Sequence, residues 1–152
     1  MLGALLRPSG RVIVAAILLV ADEEQVRVLA ESFLQTVGHT TLSAGSVEQA
    51  LALLAGPEPI DLLFTDLIIQ GENEAGLSLA TKAVEMRPKL KVLYTSGQAV
   101  TDGMVALFAE KSAFLPKPYT VEQLGTILGM KFGFQSFTGP HTNESAGETR
   151  RL

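Results

Sequence analysis

The sequence predicts an α/β domain, a doubly wound five-stranded parallel sheet with helices on both faces in three layers. Three observations lead there. Five short apolar runs, 16–20, 40–43, 61–65, 91–94 and 113–116, are separated by segments of helical spacing, and such alternation is the pattern of parallel βα units. The first, third and fourth runs are almost continuously apolar, as in strands buried on both faces. The polar residues that close the runs, Asp22, Asp66, Thr95 with Ser96, and Lys117, all fall at carboxyl ends, the edge where open parallel sheets bind ligands.

The first strand has a competing reading, because Arg11 followed by the apolar stretch 12–21 imitates a short export signal. Ten apolar residues are too few to cross a bilayer as a helix. Leu19 is also bulky for the third position before a cleavage after Ala21. We read the stretch as a buried central strand and the protein as cytoplasmic, with no membrane insertion.

The helices follow in order. Val26, Leu29, Ala30, Phe33, Leu34 and Val37 mark one apolar stripe, and Gly38 ends it. Ser46 with Gln49, and Thr120 with Gln123, have the spacing of capping boxes that open the second and fifth helices. Leu77, Ala80, Thr81 and Val84 describe a third helix that stops before Pro88. Val105, Leu107 and Phe108 mark a weaker fourth over roughly 101–110. In the last helix Gly125, Gly129 and Gly133 recur four apart, which costs helix stability and suggests a close helix–helix contact through a glycine face.

Composition limits the chemistry. A chain of 152 residues, 47% apolar and 18% charged, is globular and long enough for one domain with a core. We divide it into an N-terminal extension, 1–10, a folded domain, 11–134, and a polar tail, 135–152, expected to be disordered. A net charge of −4 argues against direct nucleic-acid binding. Without cysteine there is no disulfide, thiolate site or thiol nucleophile, and His39 and His141 lie too far apart to suggest a metal pair.

The closing residues carry a resemblance. ILLVADE at 17–23, DLLFTD at 61–66, VLYTSG at 92–97 and FLPKP at 114–118 resemble the four signature segments of receiver domains of bacterial two-component response regulators, over about 15–130. The steps from Asp22 to Asp66, Thr95 and Lys117, of 44, 29 and 22 residues, are close to that family's. The resemblance implies a flavodoxin-like receiver fold in which Asp66 accepts a phosphoryl group and Lys117 and Thr95 contact its oxygens. It further implies Mg²⁺ held by Asp22, Asp66 and the backbone carbonyl of Ile68, a cis Lys117–Pro118 bond, and a switch made of Thr95 and Phe114. A carboxylate is a usable nucleophile for phosphorus, all-oxygen coordination suits Mg²⁺, and an ammonium is a compact counter-charge.

The expected function is a single-domain response regulator, phosphorylated on Asp66 by a sensor histidine kinase or phosphotransfer protein and switching a face for a downstream protein, with a homodimer left open. It is not expected to be an enzyme beyond assisting its own phosphorylation and dephosphorylation. The alternative is a pseudo-receiver, a binding module not controlled by phosphate. Ala21 favours that alternative, since the family usually has an acid there. Gln70 stands where a proline is usual, and the loop after it is about two residues longer than the common form. Haloacid-dehalogenase-like chemistry is disfavoured because Ile68 stands where a second Asp is wanted, and nucleotide binding because no Gly-rich loop follows the first strand.

Overall fold

The structure, a computed structural model, describes residues 13–136. The expected extension 1–10 and most of the expected tail lie outside the described residues. The elements run β1 (Ala16–Val20), α1 (Glu24–Val37), β2 (Thr40–Ala44), α2 (Val47–Ala55), β3 (Leu62–Asp66), α3 (Ala75–Met86), β4 (Lys91–Ser96), α4 (Asp102–Val105), β5 (Ser112–Pro116) and α5 (Val121–Phe132). The five strands form one parallel sheet in the order β2-β1-β3-β4-β5. This is the doubly wound fold that the sequence predicts, with strand ends shifted by a residue or so.

The three central strands bury both faces. One layer of core joins Leu18, Leu63 and Val92 to Leu54, Leu79 and Ala83 of α2 and α3. The other joins Ile17, Leu62, Phe64 and Leu93 to Leu34, Leu124 and Leu128 of α1 and α5. Alternate residues of a strand therefore feed opposite layers, so a single register places every terminal polar residue at the same edge.

Local signals set the helix starts. The Ser46 hydroxyl accepts from the Gln49 N–H at 3.1 Å. Around Thr120 the box is complete: its hydroxyl accepts from Gln123 N–H at 3.0 Å and the Gln123 side chain accepts from Thr120 N–H at 2.9 Å. The fourth helix is the departure. Only Asp102–Val105 is helical, and the chain then tightens into bonds from Leu107 N–H to Met104 and Phe108 N–H to Val105. That turn brings Phe108 inward to stack on buried Tyr94 at 4.2 Å, and a straight helix to residue 110 gives way to this packing.

Gly129 of α5 serves a different contact from the helix–helix one that the glycine spacing suggests. A side chain on Gly129 would run into Ser136 Oγ, so the small residue admits the chain returning over α5. Phe134 is buried on that path, and Gln135 N–H donates to the Ile13 carbonyl at 2.8 Å. His39, also buried, takes the Ala15 N–H on Nδ1 at 2.9 Å and lies 2.8 Å from the Gln135 carbonyl through Nε2. Accepting on Nδ1 leaves Nε2 as the protonated donor. Among the described residues His39 is thus a structural clamp between β1 and the C-terminal return.

Candidate functional site

Strand ends deliver the predicted polar residues to one edge. Asp66 is the last residue of β3, buried at 5% exposure between β1 and β4. Lys117 follows β5, and its Nζ lies 3.1 Å from Asp66 Oδ1. Its backbone N–H donates to the Ser96 carbonyl at 2.9 Å, and the Lys117–Pro118 peptide bond is cis. Asp22 follows β1, exposed, and its Oδ2 accepts the Gln70 N–H at 2.7 Å.

The electrostatics of Asp66 follow from that placement. Burial pushes its carboxyl above the ordinary carboxylate value, the Lys117 ammonium pulls it back, and the charges of Asp22 and Glu23 push it up again. Buried Tyr119 feels the same centre: burial first, then the charge on Asp66, push its hydroxyl upward. Tyr119 escaped the sequence reading because an aromatic after Lys-Pro looks like core packing, which its contact with Phe64 at 6.1 Å also supplies.

Thr95 and Phe114 do not join the carboxylates. The Thr95 hydroxyl donates to the Leu115 carbonyl at 2.6 Å. Phe114, half-buried, sits 6.2 Å from Phe108. Phe108 in turn stacks on Tyr94, whose hydroxyl accepts the Ala109 N–H at 2.9 Å. Ser96 turns its own hydroxyl to the Gln98 N–H at 3.1 Å.

Gly76, in the first turn of α3, is a further residue of the site that the sequence reading missed. Its N–H donates to the Leu67 carbonyl at 2.8 Å, and a Cβ there would overlap the Asp66 carbonyl oxygen and come within 2.7 Å of Leu67 Cα. Only glycine lets α3 start against the backbone that carries Asp66. A glycine near a helix start is a common sight, so nothing in the sequence marked this one.

The donors at this edge suit a hard divalent ion. Among the described residues no three acidic, histidine or cysteine side chains are placed to share a metal. Ala21, buried at 3%, occupies the place of a third acid. Asp22 and Asp66 each keep one carboxylate oxygen outside the bonds to Gln70 and Lys117, and the Ile68 carbonyl takes part in no backbone hydrogen bond among the described residues. Two carboxylates, a main-chain oxygen and water form a set that fits Mg²⁺.

Comparison with known proteins agrees with this geometry. The family described as response regulator receiver domain matches residues 17–128. The sensor kinase CckA of Brucella abortus is 33% identical over 117 residues, covering 75% of this chain and 12% of that protein. The nitrogen assimilation regulatory protein NtrX of Azorhizobium caulinodans is 30% identical over 112 residues, covering 73% of this chain and 24% of that protein. The chain therefore spans a quarter or less of these two relatives. Among solved structures, the non-phosphorylated HemR receiver domain of Leptospira biflexa superposes with a TM-score of 0.67 at 27% identity, covering 84% of this chain and 99% of that one. No helix among the described residues is long and apolar enough to cross a membrane.

Proposed function

Because this chain belongs to the response regulator receiver domain family of two-component systems, we propose that it is a phosphorylation-controlled signalling domain with Asp66 as the phosphoacceptor. Receiver domains are in general phosphoacceptor switches rather than enzymes, and they interact with histidine kinases and downstream partners. The observation that carries the reading for this chain is the Asp66–Lys117 pair of 3.1 Å at the carboxyl edge of the sheet.

The chemistry follows from these side chains. An Asp66 oxygen attacks the phosphorus of a phosphohistidine; the new O–P bond forms as the P–N bond breaks, and the electron pair returns to the imidazole nitrogen, which takes a proton from solvent. Burial disfavours the charged form of Asp66 and the adjacent Lys117 ammonium favours it, so the pairing supports the carboxylate that attacks. Lys117 is within reach of charge developing on a phosphoryl oxygen. Asp22, Asp66 and the Ile68 carbonyl are the groups that would hold Mg²⁺, which when bound offsets the negative charge of the phosphoryl oxygens.

Output is read on the far side of β4. A phosphoryl oxygen on Asp66 competes with the Leu115 carbonyl for the Thr95 hydroxyl. Inward movement of Phe114 displaces Phe108 from its place beside Tyr94, and with it the segment between α4 and β5. Phe114 carries no hydroxyl, so an inward ring leaves no polar group to satisfy. Val105 at the end of α4 and Leu107 in that segment are exposed, and a groove of about 530 Å³ lined by Leu115, Pro116, Pro118 and Ile127 together with Lys117, Glu122, Gln123 and Thr126 offers a further surface for a protein partner.

Incubation with acetyl phosphate and Mg²⁺ tests the assignment: one phosphate is added by mass, and Asp66→Asn abolishes it. Full labelling of that variant refutes Asp66. The competing reading, a receiver fold used for binding without phosphate control, rests on Ala21. It is favoured if beryllofluoride shifts amides near Asp22 and Asp66 and leaves 101–128 silent.

A further inference from the structure

The loop after Asp66 contains a backbone outlier that the phosphoacceptor chemistry does not explain. Gln70 has φ of +52° and Gly71 has φ of +80°. Ile69 and Glu72 flank them as an antiparallel bridge, with Glu72 N–H donating to Ile69 at 3.0 Å and Ile69 N–H to Glu72 at 3.3 Å. Two central residues of positive φ inside one reciprocal pair make a two-residue hairpin with the signs of a type I′ turn. Glycine adopts this freely, whereas glutamine, with its Cβ, does so against a steric preference.

Such strain persists where the surroundings over-determine it, and here the contact that does so is specific. In a two-residue hairpin the flanking residues exchange both bonds, which leaves the first turn N–H available. Gln70 N–H donates it to Asp22 Oδ2 at 2.7 Å, across 48 residues of sequence. Asp22 is exposed, in the connection between β1 and α1, where an unheld carboxylate samples several rotamers. Its neighbour Ala21 has no side-chain oxygen to share the site.

We infer that the Gln70–Gly71 hairpin is a positioning device. The Gln70 N–H fixes Oδ2 of Asp22, leaving Oδ1 as the metal-facing oxygen. The inference rests on the reading that Asp22 binds Mg²⁺. A hydrogen bond that orients a metal-binding side chain is typically worth about 10- to 100-fold in metal affinity.

The experiment uses the full chain and MgCl₂ alone. Gln70→Pro removes the N–H and forbids positive φ at an exposed position; Gln70→Gly keeps the N–H and relieves the strain. Calorimetry is expected to show a dissociation constant raised at least about 10-fold in Gln70→Pro, with affinity retained in Gln70→Gly. In metal-free amide spectra, Asp22→Ala moves the Gln70 amide proton upfield, toward an unbonded position. Equal Mg²⁺ affinity for the two Gln70 variants, or a Gln70 amide indifferent to Asp22→Ala, overturns the inference. If the wild-type chain binds no Mg²⁺ while the Gln70 amide still responds to Asp22→Ala, the metal reading fails and the clamp on Asp22 stands.

Discussion

The hydroxyl of Thr95 donates to the carbonyl oxygen of Leu115 at 2.6 Å, so the side chain expected to meet a phosphoryl group is tied to β5 in this structure. Both partners are buried, and giving up a buried hydrogen bond of this kind costs about 0.5–1.5 kcal/mol. The phosphorylated state has to offset that cost through its own bond to Thr95, and a ligand shifts such an equilibrium only by its differential affinity for the two states.

Thr95→Val should therefore separate chemistry from signalling. It is expected to lose about 1 kcal/mol of stability in urea, because the buried bond from Thr95 to the Leu115 carbonyl is removed. Phosphate should still reach Asp66, while the shifts that beryllofluoride induces in 101–128 shrink. Undiminished shifts there would remove Thr95 from the switch.

Asp66 gives a pH dependence opposite to that of most native carboxylates. Its folded-state value is raised by burial above the ordinary 3.8. Between the two values the folded chain holds a proton that the unfolded chain has released, so stability falls as pH rises through that window and stays reduced above it. In chelator-treated buffer Asp66→Asn is expected to be more stable than the parent at pH 7, with the difference closing as pH drops through the window toward 3.8. Urea midpoints at several pH values check this; a difference that widens on acidification contradicts the burial argument.

Gly76 is expected to tolerate no side chain. In Gly76→Ala the methyl group would collide with the Asp66 carbonyl oxygen and Leu67 Cα, which are backbone atoms and yield little. A loss of about 1–3 kcal/mol follows, together with slower labelling from acetyl phosphate as the strand end is displaced. Wild-type melting and labelling would show that α3 can move away without disturbing Asp66.

The C-terminal boundary can be tested by truncation. Phe134 is buried, lies 5.9 Å from Phe132 and sits under the Lys91 ammonium, and Gln135 bonds to Ile13 and His39. Deleting Thr138–Leu152, a polar stretch with little apolar surface to bury, should leave the melting temperature nearly unchanged. Ending the chain at Gly133 instead should cost roughly 3 kcal/mol, the scale for losing a buried Phe. Equal melting of the two truncations would place the domain boundary before Phe134.

What could be read in the sequence was whatever is local. The five strands, the stop at Gly38 and the two caps are encoded within a few residues, and the edge position of Asp22, Asp66, Thr95 and Lys117 follows from the parallel sheet. The short fourth helix was not legible because Phe108 turns inward for a partner, Tyr94, on another element. The role of Gly76 depends on a close approach to Asp66, and that of Gln70 on a bond to a residue 48 positions away. A glutamine with positive φ gives no compositional sign, since the turn signal there belongs to Gly71 alone.

Ala21 carries the last prediction. It is buried, its N–H donates to the Ala44 carbonyl at 3.1 Å, and its own carbonyl accepts from Arg27 Nη1 at 2.6 Å, so its backbone is fixed from both sides. Ala21→Asp would add a carboxylate to an edge where the charges of Asp22 and Glu23 already push up buried Asp66. Without metal the variant should melt below the parent. Divalent affinity grows with ligand charge, and a ligand bound only by the folded state stabilises it in proportion to the logarithm of its concentration over the dissociation constant. Millimolar Mg²⁺ should therefore raise the melting temperature of Ala21→Asp by more than that of the parent, with tighter binding by calorimetry. Unchanged Mg²⁺ affinity would mean that the position does not face the ion, and Ala21 would cease to support a reading without phosphate control.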